Sequence, residues 1–86
     1  MLESTKYIYD KTDDLLKHGK RSYKKAIKKD NIQIWSDCCK WAKSEIEVLK
    51  TIEKTKAAQK RVAITEWIFE ENSKDIASYF ERKNTL

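Results

Sequence analysis

The sequence predicts an all-α fold, a small bundle of four or five short helices in a single domain of residues 1–86, with residues 32–54 as the central helix. The 86 residues contain one glycine and no proline, whereas sandwiches and barrels need glycine- and proline-rich turns at short intervals. Apolar residues recur three and four positions apart, which is the period of a helix with one buried face. Three tryptophans and four tyrosines supply more bulky apolar material than disordered chains contain.

Two helices are expected before residue 30. The first covers about residues 3–17, and Gly19 follows it in the position of a residue that ends a helix. The second covers about residues 20–29 and is short and amphipathic. Its apolar side consists of Tyr23, Ala26 and Ile27.

The central helix is expected to start near residue 31. Asp30, with Gln33 three positions on, has the spacing of a capping box. A continuous helix through Asp30 and Asn31 is the alternative. Two apolar rows follow, and a helix that is apolar over so wide a sector is expected to lie between two neighbours. One row is Trp35, Cys38, Cys39, Ala42, Ile46 and Leu49; the other is Ile34, Trp41, Val48 and Ile52.

The stretch 53–61 has neither a large apolar residue nor a helix breaker. A turn at Thr51 or Thr55 is the favoured interpretation. The alternative is one helix over residues 31–71, about 60 Å long at 1.5 Å per residue, which would suggest a dimer.

Two more helices are predicted towards the carboxyl end. One covers about residues 60–71, and its apolar residues recur at helical spacing. Asn72 or Ser73 then has the side chain of a helix cap, since its oxygen can accept a free backbone amide. The last helix is expected to end near Arg82.

The net charge of +5 comes from one short stretch. Residues 17–29 contain seven Lys or Arg residues and no acidic residue, whereas residues 1–16 carry a net charge of −2 and residues 30–86 a net charge of 0. This helix is the candidate site for binding a polyanion such as nucleic acid. The candidate residues are Lys20, Arg21, Lys24, Lys25, Lys28 and Lys29. The alternative is a solvated face of a lysine-rich protein, which the absence of a nucleic-acid-binding motif favours.

Trp41 and Trp67 are the candidate residues for a protein interface. Trp35 and Trp41 are six positions apart, so their side chains lie about 240° apart on a helix and cannot both face one core. Aromatic residues at helical spacing most often belong to the core. An exposed tryptophan, in contrast, is a typical hot spot of a protein interface.

No catalytic or metal-binding motif is found, so we expect neither an enzyme nor a cofactor. Cys38 and Cys39 are adjacent and cannot form a disulfide without distorting a helix, which favours a reducing, cytoplasmic location. His18 is the only histidine, which leaves too few ligands for a tetrahedral metal site. The amino-terminal stretch is polar, and no apolar run is long enough to span a membrane.

These observations predict a small cytoplasmic interaction or regulatory protein, such as an accessory factor of a phage or mobile element. It would act by binding a partner protein, and it could also form a homodimer. The alternative function is nucleic-acid binding through the basic helix. A membrane-surface role is not expected, because the apolar side of residues 20–29 is too small.

Overall fold

The computed structural model describes residues 3–85, which form three long α-helices joined by two short turns. Helix α1 spans Glu3–Lys28, α2 spans Ile32–Ile52 and α3 spans Lys56–Asn84. The predicted all-α class is confirmed. The expectation of four or five short helices is wrong, because two of the predicted boundaries lie inside continuous helices.

Helix α1 continues without a break through Gly19, which does not adopt the left-handed conformation of a helix end. This glycine instead lies against the ring of Phe69. A Cβ atom at position 19 would come within 2.8 Å of Phe69 Cζ and 2.9 Å of Cε1. Gly19 therefore allows close approach of two helices, and the predicted helix end at this residue is wrong.

The turn between α1 and α2 is a Schellman motif. The amide of Asn31 donates to the Ala26 carbonyl at 2.9 Å, and the amide of Asp30 donates to the Ile27 carbonyl at 3.2 Å. Asp30 has a φ of 55°, a left-handed conformation that aspartate and asparagine adopt more readily than most residues. Asn31 then caps α2, since its side-chain oxygen accepts the Gln33 amide at 3.0 Å. The boundary near residue 31 is confirmed, but its cap is Asn31 and not Asp30.

The turn between α2 and α3 lies at Thr55. Its hydroxyl accepts the Ala58 amide at 3.1 Å and caps α3. It also lies 3.3 Å from the hydroxyl of Thr5, which ties this turn to the first turns of α1. The favoured break is confirmed, and the single helix over residues 31–71 is excluded.

Helix α3 passes straight through the predicted cap at residues 72 and 73. The Ser73 hydroxyl donates to the Phe69 carbonyl one turn earlier at 2.8 Å. It also accepts the indole N–H of Trp35 at 3.0 Å. Serine favours helix ends because its hydroxyl competes for backbone groups, but here those bonds are compatible with the helix interior. The predicted fifth helix is therefore the continuation of α3.

The three helices run up, down and up, so α1 and α3 are parallel. The bundle is 51 Å long and 17 Å wide. Contacts of α1 and its following turn with α3 and its cap recur along the length of the bundle, at Thr5–Thr55, Asp13–Arg61, Gly19–Phe69 and Asp30–Lys83. Each helix packs against both others, so the expectation that residues 32–54 form a central helix is wrong. Among the described residues, no helix has the length and apolarity needed to cross a bilayer.

The core is a single narrow column, because each helix contributes one stripe of residues. An aromatic group lies near its middle. Trp35 stacks on Phe69 with ring centroids 5.7 Å apart and forms a T-shaped pair with Tyr23 at 5.8 Å. The buried apolar residues are Ile8, Leu15, Ala26, Trp35, Ala42, Ile46, Leu49, Ala58, Val62, Phe69, Ile76 and Phe80.

Candidate interaction surfaces

The basic surface, defined as Lys20, Arg21, Lys24, Lys25, Lys28 and Lys29, occupies the outer side of α1 near its carboxyl end. All six side chains are exposed. Within residues 3–85, none of them forms an ion pair, whereas six acidic residues elsewhere each contact a lysine or arginine. The inward side of this segment is as predicted, since Ala26 is buried and Tyr23 and Ile27 are half-buried. The six cations are thus available to an external anion.

The basic surface consists of two rows of side chains, one next to α3 and the other next to α2. Lys20 and Lys24 border a groove of about 460 Å³ whose far wall is Ile68 and Asn72 of α3. Arg21 and Lys25 lie about 100° further round the helix, on the exposed side of α1 next to α2. The two rows can therefore serve different contacts.

Trp41 lies on the surface at the junction of α1 and α2, with 37% of its side chain exposed. Its ring packs against His18 of α1 in a T-shaped arrangement, with ring centroids 5.1 Å apart. Val48, two turns further along α2, is 55% exposed, and Ile34, two turns earlier, is half-buried. We call Ile34, Trp41 and Val48 the Trp41 stripe. The second apolar row of α2 therefore borders solvent and is not evidence of a central helix.

Trp67 lies on the outer side of α3, with 59% of its side chain exposed. Ile64, one turn earlier, is 43% exposed. We call this pair the Trp67 patch. Trp67 is about 160° round the helix from Phe69, which faces the core, so the patch points away from both other helices. The structure does not bring Trp41 and Trp67 together, and they belong to two separate surfaces.

The remaining candidate groups are either internal or isolated. Cys38 and Cys39 are free thiols and both are half-buried. Burial raises the pKa of Cys39, whose sulfur lies 3.6 Å from the Ser73 hydroxyl. No cluster of three or more potential metal ligands occurs among residues 3–85.

Two interhelical features were not found from the sequence. Arg61 of α3 donates to the Thr12 hydroxyl at 3.0 Å, pairs with Asp13 and lies over the ring of Tyr9 at 5.6 Å. The sequence carries no signal for this contact, because it joins positions about 49 residues apart. The second is a groove of about 430 Å³ between α2 and α3 with an apolar floor that includes Ala42.

No protein-family model, curated protein or solved structure was found to match this chain.

Proposed function

We propose that the protein is a small non-enzymatic cytoplasmic binding protein that contacts another protein through the Trp67 patch. The observation that supports this most strongly is the exposure of Trp67 beside Ile64 on the uncovered side of α3. Tryptophan is strongly enriched among the residues that dominate protein interfaces. Two free cysteines in adjacent positions are consistent with a reducing compartment.

The patch can contribute a useful amount of binding energy. A tryptophan buries about 150–250 Å² when it is covered, so the exposed 59% of Trp67 offers roughly 90–150 Å². At about 25 cal/mol per Å², covering it contributes about 2–4 kcal/mol. That is the range of a hot-spot residue.

The test begins with proteins that co-purify with a tagged copy from cells of the encoding organism. Each would be identified by mass spectrometry, purified, and titrated against the tagged protein by calorimetry. The double variant Trp67→Ser/Ile64→Ser should weaken binding by at least about tenfold. Ile32→Ser is the matched control, since it removes an exposed apolar residue that lies outside both the Trp67 patch and the Trp41 stripe. Equal affinities of the wild type and the double variant would refute the proposal.

Nucleic-acid binding is the second candidate function, because all six residues of the basic surface are exposed and without an ion pair in the described chain. Lys20, Lys24 and Lys28 form a row with one side chain per turn, which allows contacts with successive phosphates. Affinity for duplex DNA or RNA should fall steeply with salt, and charge reversal of this row should abolish it. Fluorescence anisotropy measures both effects, and no binding at about 50 mM salt would exclude this function.

A further inference from the structure

The exposed side of α1 next to α2 carries opposite charges on its two halves. Asp10 and Asp14 lie in the first half, and Arg21 and Lys25 lie in the second. All four side chains are exposed, and none forms an ion pair within residues 3–85. Their spacing of three and four places them in one stripe along the helix, with Lys17 and His18 at its middle. We call these four residues the α1 charge stripe.

This pattern is self-complementary. Asp14 and Arg21 are equally distant from a point between Lys17 and His18, and so are Asp10 and Lys25. If α1 packs antiparallel against α1 of a second copy about a two-fold axis at this point, every acid faces a base. Each of the four residues then has one partner of opposite charge, and a closed dimer contains four such pairs.

Helix α2 has the same centre of symmetry. His18 contacts Trp41, so an axis beside His18 also passes close to Trp41. Ile34 and Val48 are each seven residues from Trp41, on opposite sides. The same rotation therefore places Trp41 next to its symmetry mate and Ile34 opposite Val48. A single two-fold axis therefore pairs opposite charges on α1 and apolar residues on α2 at the same time.

We infer that the protein forms a symmetric antiparallel homodimer through the α1/α2 face, with Trp41 at the two-fold axis. One face of a body 51 Å long and 17 Å wide spans roughly 870 Å², close to the ~800 Å² per partner of a standard interface. The register also brings two like-charged contacts to the interface, Asp37 near Glu45 of the second copy and Lys17 near Lys17 of the second copy. Glu45 is already paired with Lys11 at 3.4 Å, which reduces the first repulsion. This inference does not depend on the Trp67 patch, which lies on another side.

Charge exchange tests the arrangement directly. In Asp10→Lys/Asp14→Lys the stripe is entirely basic, and in Arg21→Glu/Lys25→Glu it is entirely acidic. Each variant alone repels itself, so its dimer should dissociate at least about tenfold more readily than the wild type. An equimolar mixture should form a heterodimer, because every like-charged contact becomes an opposite-charged one. Sedimentation velocity from about 1 µM to about 1 mM protein measures the dimer dissociation of the wild type, of each variant and of the mixture.

Three controls separate this interface from other causes. Far-UV circular dichroism shows that each variant keeps its helices. Lys20→Glu/Lys24→Glu makes the same charge change on the α3 side of α1 and should leave the dimer intact. Trp41→Ser should weaken the dimer at least about tenfold, whereas Trp67→Ser should not. This last pair also distinguishes the dimer from the Trp67 contact proposed above.

Three results would overturn the inference. A wild-type protein that is monomeric at about 1 mM has no dimer of useful affinity. Folded variants that fail to form a heterodimer on mixing show that a wild-type dimer uses another face. Equal dissociation by Lys20→Glu/Lys24→Glu shows that net charge, and not the α1 charge stripe, controls association.

Discussion

Replacing Gly19 by alanine should change the free energy of unfolding through two opposing effects of known size. Alanine in a helix interior is more favourable than glycine by about 1 kcal/mol. The new Cβ, however, would lie 2.8 Å from Phe69 Cζ, which is well inside van der Waals contact. The Phe69 ring cannot retreat easily, because it is buried and stacked on Trp35. Overpacking of this kind costs about 1–3 kcal/mol, so we expect Gly19→Ala to destabilise the fold by about 1 kcal/mol.

A double-mutant cycle with Phe69→Leu identifies the cause. Leucine lacks the ring atoms that meet position 19, so in that background the alanine should keep only its propensity gain and stabilise by about 1 kcal/mol. The coupling free energy between Gly19 and Phe69 should then be about 2 kcal/mol. If Gly19 were instead needed for a left-handed helix end, alanine would destabilise both backgrounds equally.

Urea denaturation of the four proteins, followed by far-UV circular dichroism, gives the required free energies of unfolding. Each variant should unfold in a single transition with a similar dependence on urea, since the helices themselves are unchanged. A coupling free energy below about 0.5 kcal/mol would refute the close-approach explanation of Gly19. A stabilising effect of Gly19→Ala in the wild-type background would refute it as well.

Three further predictions concern contacts between elements. Ser73→Ala leaves the buried indole N–H of Trp35 without its acceptor and should lower the free energy of unfolding by about 1–3 kcal/mol in the same urea assay. Thr55→Ala removes the cap of α3 and should cost about 1 kcal/mol, with Thr55→Ser as the conservative control that retains most of the stability. The hydrogen bond to Asp30, at 2.7 Å, raises the pKa of Lys83 above 10.5. Because the folded-state pKa is the higher one, this contribution is fully present below pH 10.5 and is lost as the pH rises through the folded value. Lys83→Met should therefore reduce the fall in thermal stability above pH 10.5, and an unchanged pH profile would contradict the prediction.

The sequence predicted the features that depend on neighbouring residues. The absence of proline and the helical period of apolar residues were enough for the all-α class. The turn near residue 31 was predicted from a cap signal at Asp30, although Asn31 provides the cap. A turn at Thr51 or Thr55 was favoured because a single helix about 60 Å long would exceed the core of so short a chain, and Thr55 is where the structure has it. The exposure of the basic surface followed from the same periodicity, since Tyr23, Ala26 and Ile27 occupy the opposite side of α1.

The tertiary structure decided which other boundary signals are real. Glycine often ends a helix and serine often caps the start of one. Gly19 and Ser73 nevertheless both lie inside a helix, because each contacts a residue far away in the sequence. For Gly19 that partner is the Phe69 ring, and for Ser73 it is the Trp35 indole. The separation of Trp41 from Trp67, and the contact of Trp41 with His18, also required the arrangement of the helices. Local sequence fixes whether a residue can end a helix, whereas the free energy of packing across helices fixes whether it does.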